Sequence, residues 1–226
     1  MRYWIKIMVY LSEKEVLKIL AESHKIIAKE VYDKIKTNYN VELDSKKMFW
    51  GSIAPDYLPY YKLIRHYQDE SLNYIATEIV KLIFMYKNTN FNTINPMLLK
   101  HLSKKIGIIS HYLCDYTCYP HAYRMTFMGS MKSHIKYEVD LNVYAKDYEF
   151  KRDVINTESI NIYDNSDIKL VNQVMAYIND VVDEYKASEK SFETDLNYAL
   201  NLSENVACFI METILNYSEN MEYQFI

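Results

Sequence analysis

The segment from His111 to His121, HYLCDYTCYPH, brings together residue types that bind metal ions. His111 and Asp115 are four residues apart, a spacing that places both side chains on one face of a helix. His134 and Glu138 repeat this spacing further along the chain. Of the six histidines in the chain, three fall between residues 111 and 134. This clustering indicates a metal site.

A second group of candidate ligands lies upstream of this segment. Asp56 is in the sequence GSIAPD, and His66 follows ten residues later. These two side chains could complete a first metal site with the pair at residues 111 and 115. His121, His134 and Glu138 would supply a second site. Imidazole nitrogens and carboxylate oxygens suit zinc. Taken alone, each of these residues could simply be a solvated carboxylate or a surface histidine, but this explanation is weaker for all of them together.

The remaining histidines and two of the cysteines have a structural interpretation from sequence alone. His24 lies on the apolar face of a predicted helix, where a histidine is more often a core residue than a ligand. His101, in KHLSKK, is predicted to face solvent. Cys114 and Cys118 are expected to be small buried packing residues, with zinc ligation the weaker alternative.

Composition limits the class of protein. Only three glycines and four prolines occur in 226 residues, so turns are few and helices should be long. A net charge of −4, with scattered Lys and Arg, gives no basic surface for nucleic acid. The sequence contains no run of eighteen apolar residues, so we expect no transmembrane helix. The start of the chain shows no secretory signal pattern, so we expect a cytoplasmic protein, or a secreted one whose signal preceded this sequence.

Apolar periodicity and capping residues predict one all-α domain over residues 1–226. Ser12 and Glu15 form a capping box, and Asn95-Pro96 begins another helix. His111 and Asp115 should share one helix, and His134 and Glu138 another. Residues 49–67 are expected to form a loop or short helical turns, and 153–166 a loop. The predicted helices run over about 12–36, 71–86, 95–117, 130–150, 168–185 and 192–217.

The motif HYLCDYTCYPH, with a later histidine and a glutamate four residues after it, resembles the signature of the zinc-dependent phospholipase C family. That signature has a histidine, an aspartate four residues later, a proline, and a histidine ten residues after the first. In this chain Pro120 directly precedes His121, rather than standing two residues before it. GSIAPD, its later histidine and His24 are also similar to the family's upstream ligand segments. The resemblance spans residues 24–138.

The resemblance implies a compact multi-helix domain of the phospholipase C and single-strand nuclease type, with a cluster of two to three zinc ions. One ion would take Asp56, His66, His111 and Asp115. A second ion would take His121, His134 and Glu138. A third would take His24 together with Asp115, which would bridge it to another ion.

In the family, the site at His24 is completed by the amino group and carbonyl of an N-terminal tryptophan exposed by signal cleavage. This sequence begins with Met1, and its only early tryptophan is Trp4. We therefore expect the ion at His24 to be the most weakly held, and the first that a chelator removes.

The resemblance also implies the chemistry. Asp56 would be the general base for water attacking a phosphodiester, and a phospholipid would yield diacylglycerol and a phosphorylated head group. Tyr57 could lie against a quaternary ammonium head group, although packing is equally expected in a chain with 23 tyrosines. The run YLPYY at 57–61 could enter a lipid surface as a peripheral membrane contact, with buried loop packing favoured.

Two alternatives remain open. A single-strand nuclease of the same fold would use the same metals on nucleic acid. Glu138 in place of Asp as the last ligand favours the phospholipase, and the acidic net charge agrees. The second alternative is a metal-stabilised binding protein without turnover. The chain retains nearly all of the family's ligand positions, which argues against this alternative. We expect a phospholipid or other phosphodiester partner, and no nucleic acid.

Overall fold

Helices dominate the computed structural model, which describes residues 22–125, 131–160 and 169–216. Those residues contain no strand, which confirms the predicted all-α class. A single 3-10 turn covers Tyr61–Leu63. The α-helices in the described ranges, numbered in chain order, are α1 (Glu22–Tyr39), α2 (Ser45–Gly51), α3 (Ala54–Tyr57), α4 (Gln68–Tyr86), α5 (Pro96–Tyr116), α6 (Tyr119–Ala122), α7 (Met131–Ala145), α8 (Leu170–Ala187) and α9 (Phe192–Leu215).

Side-chain caps fix where several helices begin. The Asn95 side chain accepts a hydrogen bond from the backbone of Met97, and proline follows at the first position of α5, as the sequence predicts. Asp44 caps α2 by accepting from the amide of Lys47 at 2.9 Å. Ser191 caps α9 in the same way through Thr194. These caps satisfy amides that a helix leaves without partners in its first turn.

Helix α5 lies in the interior of the molecule. Every residue from Ile106 to Tyr116 is buried, so this half of the helix is enclosed on all sides. Helix α2 packs against it on one side and α9 on another. Helix α9 also packs along α1, and α8 packs on α4. The C-terminal half of α5 therefore brings its polar side chains into a protected interior.

Two glycines allow α2 and α5 to approach closely. A Cβ atom on Gly51 would meet the carbonyl oxygen of Lys104, and one on Gly107 would meet the carbonyl oxygen of Met48. The same Cβ on Gly107 would lie 2.9 Å from the amide nitrogen of Ser52. Backbone packs on backbone at this crossing, and only glycine leaves the required space.

Several predicted boundaries are wrong by a few residues. Helix α4 begins at Gln68, three residues before the predicted start, and α7 ends at Ala145 rather than near residue 150. The segment 49–67 contains short helices as expected, but α2 begins before it at Ser45. The proposed capping box at Ser12 and Glu15, and Trp4, lie outside the described residues.

Residues 153–160 form no helix, as predicted for this part of the 153–166 loop, and residues 161–166 of that loop lie outside the described ranges. In the described part of the chain, no helix combines the length and apolar character needed to cross a membrane.

The close crossing of α2 and α5 gives a testable prediction. Gly107→Ala should lower the free energy of unfolding by about 1–3 kcal/mol, because the added methyl group forces two backbones apart. Urea denaturation measures this change. Lys100→Ala, at an exposed position of the same helix, is the control and should change stability little. Equal stability of both variants would show that the crossing adjusts without strain.

Candidate metal centre

The carboxylate of Asp115 lies at the centre of the candidate site, with only 3% of the residue exposed. Its Oδ2 is 2.7 Å from Nδ1 of His66 and 3.2 Å from Nε2 of His111. Its Oδ1 is 3.5 Å from Nε2 of His24 and 3.8 Å from Nε2 of His121. Four imidazole rings from different parts of the chain thus converge on one carboxylate.

Two further carboxylates extend this arrangement. Oε1 of Glu138 lies 2.6 Å from Nε2 of His134 and 3.0 Å from Nε2 of His121. Oδ1 of Asp56 lies 3.6 Å from the ring of His111 and 3.8 Å from that of His66. The structure therefore brings together all eight residues predicted as ligands. Within the described part of the chain they form three groups whose possible ligand atoms lie within 4.8 Å of one another: His24, His111 and Asp115; Asp56, His66 and His111; and His121, His134 and Glu138.

Each ligand-bearing element has a definite place in the fold. As predicted, one helix, α5, carries the pair at 111 and 115, and another, α7, carries the pair at 134 and 138. His24 is in the first turn of α1, and His121 is in the short helix α6. Asp56 is in α3, and His66 lies between the 3-10 turn and α4. The two short helices and the link before α4 each contribute one candidate ligand.

A backbone carbonyl determines the tautomer of His111. Its Nδ1 lies 2.8 Å from the carbonyl oxygen of Ser52, which can only accept a hydrogen bond. Nδ1 therefore carries the proton and donates it, and in the neutral ring Nε2 presents its lone pair to Asp115 and Asp56. Metal-binding histidines are commonly held in this way: one ring nitrogen donates a hydrogen bond to a carbonyl, and the other nitrogen is directed at the metal. Sequence reasoning missed Ser52, since any residue type can supply a carbonyl.

Charge controls the protonation of the central groups. Burial would lower the pKa of His111, but the carboxylates of Asp115 and Asp56 outweigh it and raise the pKa to about 9. Burial, with the nearby charge of His111, lowers the pKa of His24 to about 4. Burial would raise the pKa of Asp115, but the positive charges of His121 and His111 hold it well below the usual value. The central carboxylate thus stays ionised across the physiological range.

The same balance applies to the group on α6 and α7. Burial would raise the pKa of Glu138, but its hydrogen bonds to His121 and His134 lower it to about 2. Burial would lower the pKa of His121, and the charge of Asp115 with the hydrogen bond to Glu138 raises it. Glu138 and Asp115 are therefore both anionic at neutral pH.

The donor set fits zinc. Nitrogen and oxygen ligands of these types bind zinc, and divalent cations that displace protons from the imidazole rings would balance the negative charge of the buried carboxylates. The Nδ1 atoms of His24, His121 and His134 are buried and have no hydrogen-bond partner in the described part of the chain. These rings are therefore oriented mainly through Nε2, the atom that faces the carboxylates.

A cavity of about 240 Å³ adjoins the candidate ligands. Six of the eight candidate ligand residues line it. The rest of its wall combines apolar side chains such as Ile27 and Leu141 with polar ones such as Thr117 and Asn142. A small polar group could enter this cavity beside the carboxylates.

Other predicted residues have mixed outcomes. Tyr57 is half-buried, and its ring lies 6.3 Å from that of Trp50, so its contact with a head group stays a prediction. Cys114 and Cys118 are buried, as expected for packing residues. The prediction for His101 is wrong: it is half-buried, and its Nδ1 lies 2.9 Å from the Tyr86 hydroxyl.

The family described as zinc dependent phospholipase C matches residues 23–192, which is 170 of the 226 residues and includes every candidate ligand. No curated protein and no solved structure gives a significant match.

The raised pKa of His111 predicts competition between protons and zinc. At pH 7 the zinc-free ring, with a pKa of about 9, holds a proton that must leave before Nε2 can bind a metal. Apparent zinc affinity should therefore rise between pH 6.5 and 9, by up to about tenfold per pH unit for one proton released. Chelator competition at several pH values, and proton release on adding zinc at pH 7.5, measure this. A flat affinity with no proton release would contradict it.

Proposed function

Because the chain belongs to the zinc-dependent phospholipase C family, we propose that it hydrolyses the glycerol-side phosphodiester bond of phospholipids. The products would be a diacylglycerol and a phosphorylated head group. The observation that carries this proposal is the convergence of five imidazole rings and three carboxylates beside a cavity, all within the matched residues. The natural head group would be selected by the wall of that cavity.

The three ligand groups would hold two to three zinc ions, with Asp115 shared between them. His111 contributes to two of the groups, and its Nε2 lies 3.3 Å from Nδ1 of His66. Zinc held by these residues would supply Lewis-acid chemistry, polarising a phosphodiester oxygen and lowering the pKa of water toward neutrality. The protein contributes the fixed positions of the ligands and a protected interior around them.

Asp56 is our proposed general base. Its side chain is 31% exposed, compared with 4% for Asp115, and it lines the cavity. Both oxygens of Asp115 lie within 4 Å of imidazole nitrogens, so Asp56 is the more accessible of the two carboxylates. A carboxylate at the edge of the ligand groups can accept the proton of an attacking water.

A lipid surface would be met by the segment between Asp56 and His66. Within it, Tyr60 is 66% exposed and Leu63 is 84% exposed, while Tyr61 is buried and anchors the segment to the core. The prediction of buried packing for this run therefore holds for Tyr61 and fails for Tyr60. We propose that these exposed side chains enter the lipid surface beside the cavity, so that a head group reaches Asp56.

Asp56→Asn tests the proposed chemistry. An amide oxygen can still contact a metal but cannot take a proton from water, so turnover should fall by about 10²–10⁴-fold. The assay is zinc-dependent release of phosphorylated head group from phosphatidylcholine, with nucleotide release from single-stranded DNA run in parallel. Asp33→Asn, at a half-exposed carboxylate on α1, is the control.

Zinc content is measured in both variants. Full activity of Asp56→Asn would remove this residue from the mechanism. Release of nucleotides without release of head groups would replace the phospholipase proposal with the nuclease alternative.

Leu63→Glu tests the lipid contact. A charge at this position should weaken binding to phosphatidylcholine vesicles several-fold, because burying a charge in the interface is unfavourable. Cleavage of a soluble short-chain phosphatidylcholine should be unchanged, since Leu63 is not a ligand. Met97→Glu, at a residue 72% exposed near the start of α5, is the matched control. Equal vesicle binding by both variants would place the lipid contact elsewhere.

A further inference from the structure

A buried carboxylate outside the ligand groups binds to two of the segments that carry ligands. Asp195 lies in the first turn of α9 and is only 2% exposed. Its Oδ2 accepts hydrogen bonds from the Tyr119 amide at 3.0 Å and from the Tyr137 hydroxyl at 2.8 Å. Its Oδ1 accepts from the Tyr185 hydroxyl at 2.7 Å. No candidate ligand is among these partners.

Two of the three partners of Asp195 lie close to candidate ligands in sequence. Tyr119 opens α6, two residues before His121, and Tyr137 on α7 directly precedes Glu138. The rings of Tyr119 and Tyr137 also contact each other, with centroids 5.5 Å apart. One carboxylate therefore joins the two short stretches of backbone that must approach each other for His121 to meet Glu138.

A carboxylate suits this role better than a neutral polar group. Asp195 receives donors on both oxygens, and an ionised carboxylate has only acceptor sites to offer them. An asparagine that accepts from Tyr119 and Tyr137 would turn its amide nitrogen toward the Tyr185 hydroxyl, which would then have to accept instead of donate, and it would remove the negative charge from all three hydrogen bonds. The position of Asp195 in the first turn of a long helix further favours its negative charge.

We propose that Asp195 is a positioning residue for the metal group of His121, His134 and Glu138, fixing the distance between α6 and α7. The proposal rests on the metal centre proposed above. Residues that orient metal ligands typically change metal affinity by about 10–100-fold when they are replaced. Asp195 would act through the backbone and the tyrosines, without contacting the metal itself.

The test compares Asp195→Asn with Glu204→Gln. Glu204 is a carboxylate on the same helix, similarly buried, and its partner is Arg152, which lies outside the ligand segments. Both variants should lower the free energy of unfolding. Only Asp195→Asn should weaken zinc binding, by about 10–100-fold for one ion, in competition with a chelator. The cobalt-substituted protein should show an altered visible absorption spectrum in Asp195→Asn and an unchanged one in Glu204→Gln.

A second pair of variants decides the matter even if Asp195→Asn does not fold. Tyr137→Phe removes the bond from Asp195 to α7, whereas Tyr185→Phe removes the bond to α8, which carries no ligand. Zinc affinity should fall in the first and stay unchanged in the second. Equal zinc affinity and equal cobalt spectra in all the variants would overturn the role of Asp195. Absence of zinc binding in the parent protein would instead overturn the metal centre.

Discussion

A single buried carboxylate imposes the constraint that the rest of the molecule must meet. Asp115 is enclosed in the interior of the described fold, and four imidazole rings approach its two oxygens. An ionised carboxylate in such a place needs opposite charge and hydrogen bonds, because burial without them costs several kcal/mol. Protonated histidines can meet that need, and so can divalent cations that replace those protons. Protons and divalent cations thus compete for the same imidazole nitrogens, and this competition is the physical basis of the proposed zinc centre.

The helices provide this constraint with a rigid frame. Helix α5 is buried on all sides along its last turns, so it brings Asp115 and His111 to the interior. The glycine crossing lets α2 lie close enough for the Ser52 carbonyl to accept from His111. On the other side, α9 supplies a carboxylate to the segments that bear the second group of ligands. Packing at the crossing thus places His111, and the hydrogen bonds of Asp195 join the segments that carry His121 and Glu138.

Sequence spacing was sufficient to predict the parts of the site that depend on local geometry. The pairs at 111 and 115 and at 134 and 138 follow from helical periodicity, and both occur as predicted. His24 entered only through a family resemblance, since its apolar surroundings in sequence indicated a core residue. Ser52 acts through its backbone, and Asp195 acts across 76 residues on Tyr119, so neither leaves a local pattern. The predicted helix boundaries near residues 68 and 145 are wrong by a few residues, because helix ends fray and sequence pattern defines them less sharply than it defines the helix interior.

Diffraction at the zinc absorption edge would test the central claim most directly. Crystals of the protein prepared with zinc should show two or three anomalous peaks at the three ligand groups, with Asp115 beside more than one of them. Elemental analysis of the same sample should give the matching number of ions per chain. Absence of any peak near Asp115, or peaks confined to surface carboxylates, would contradict the account. In that case protonated histidines alone would balance the buried charge.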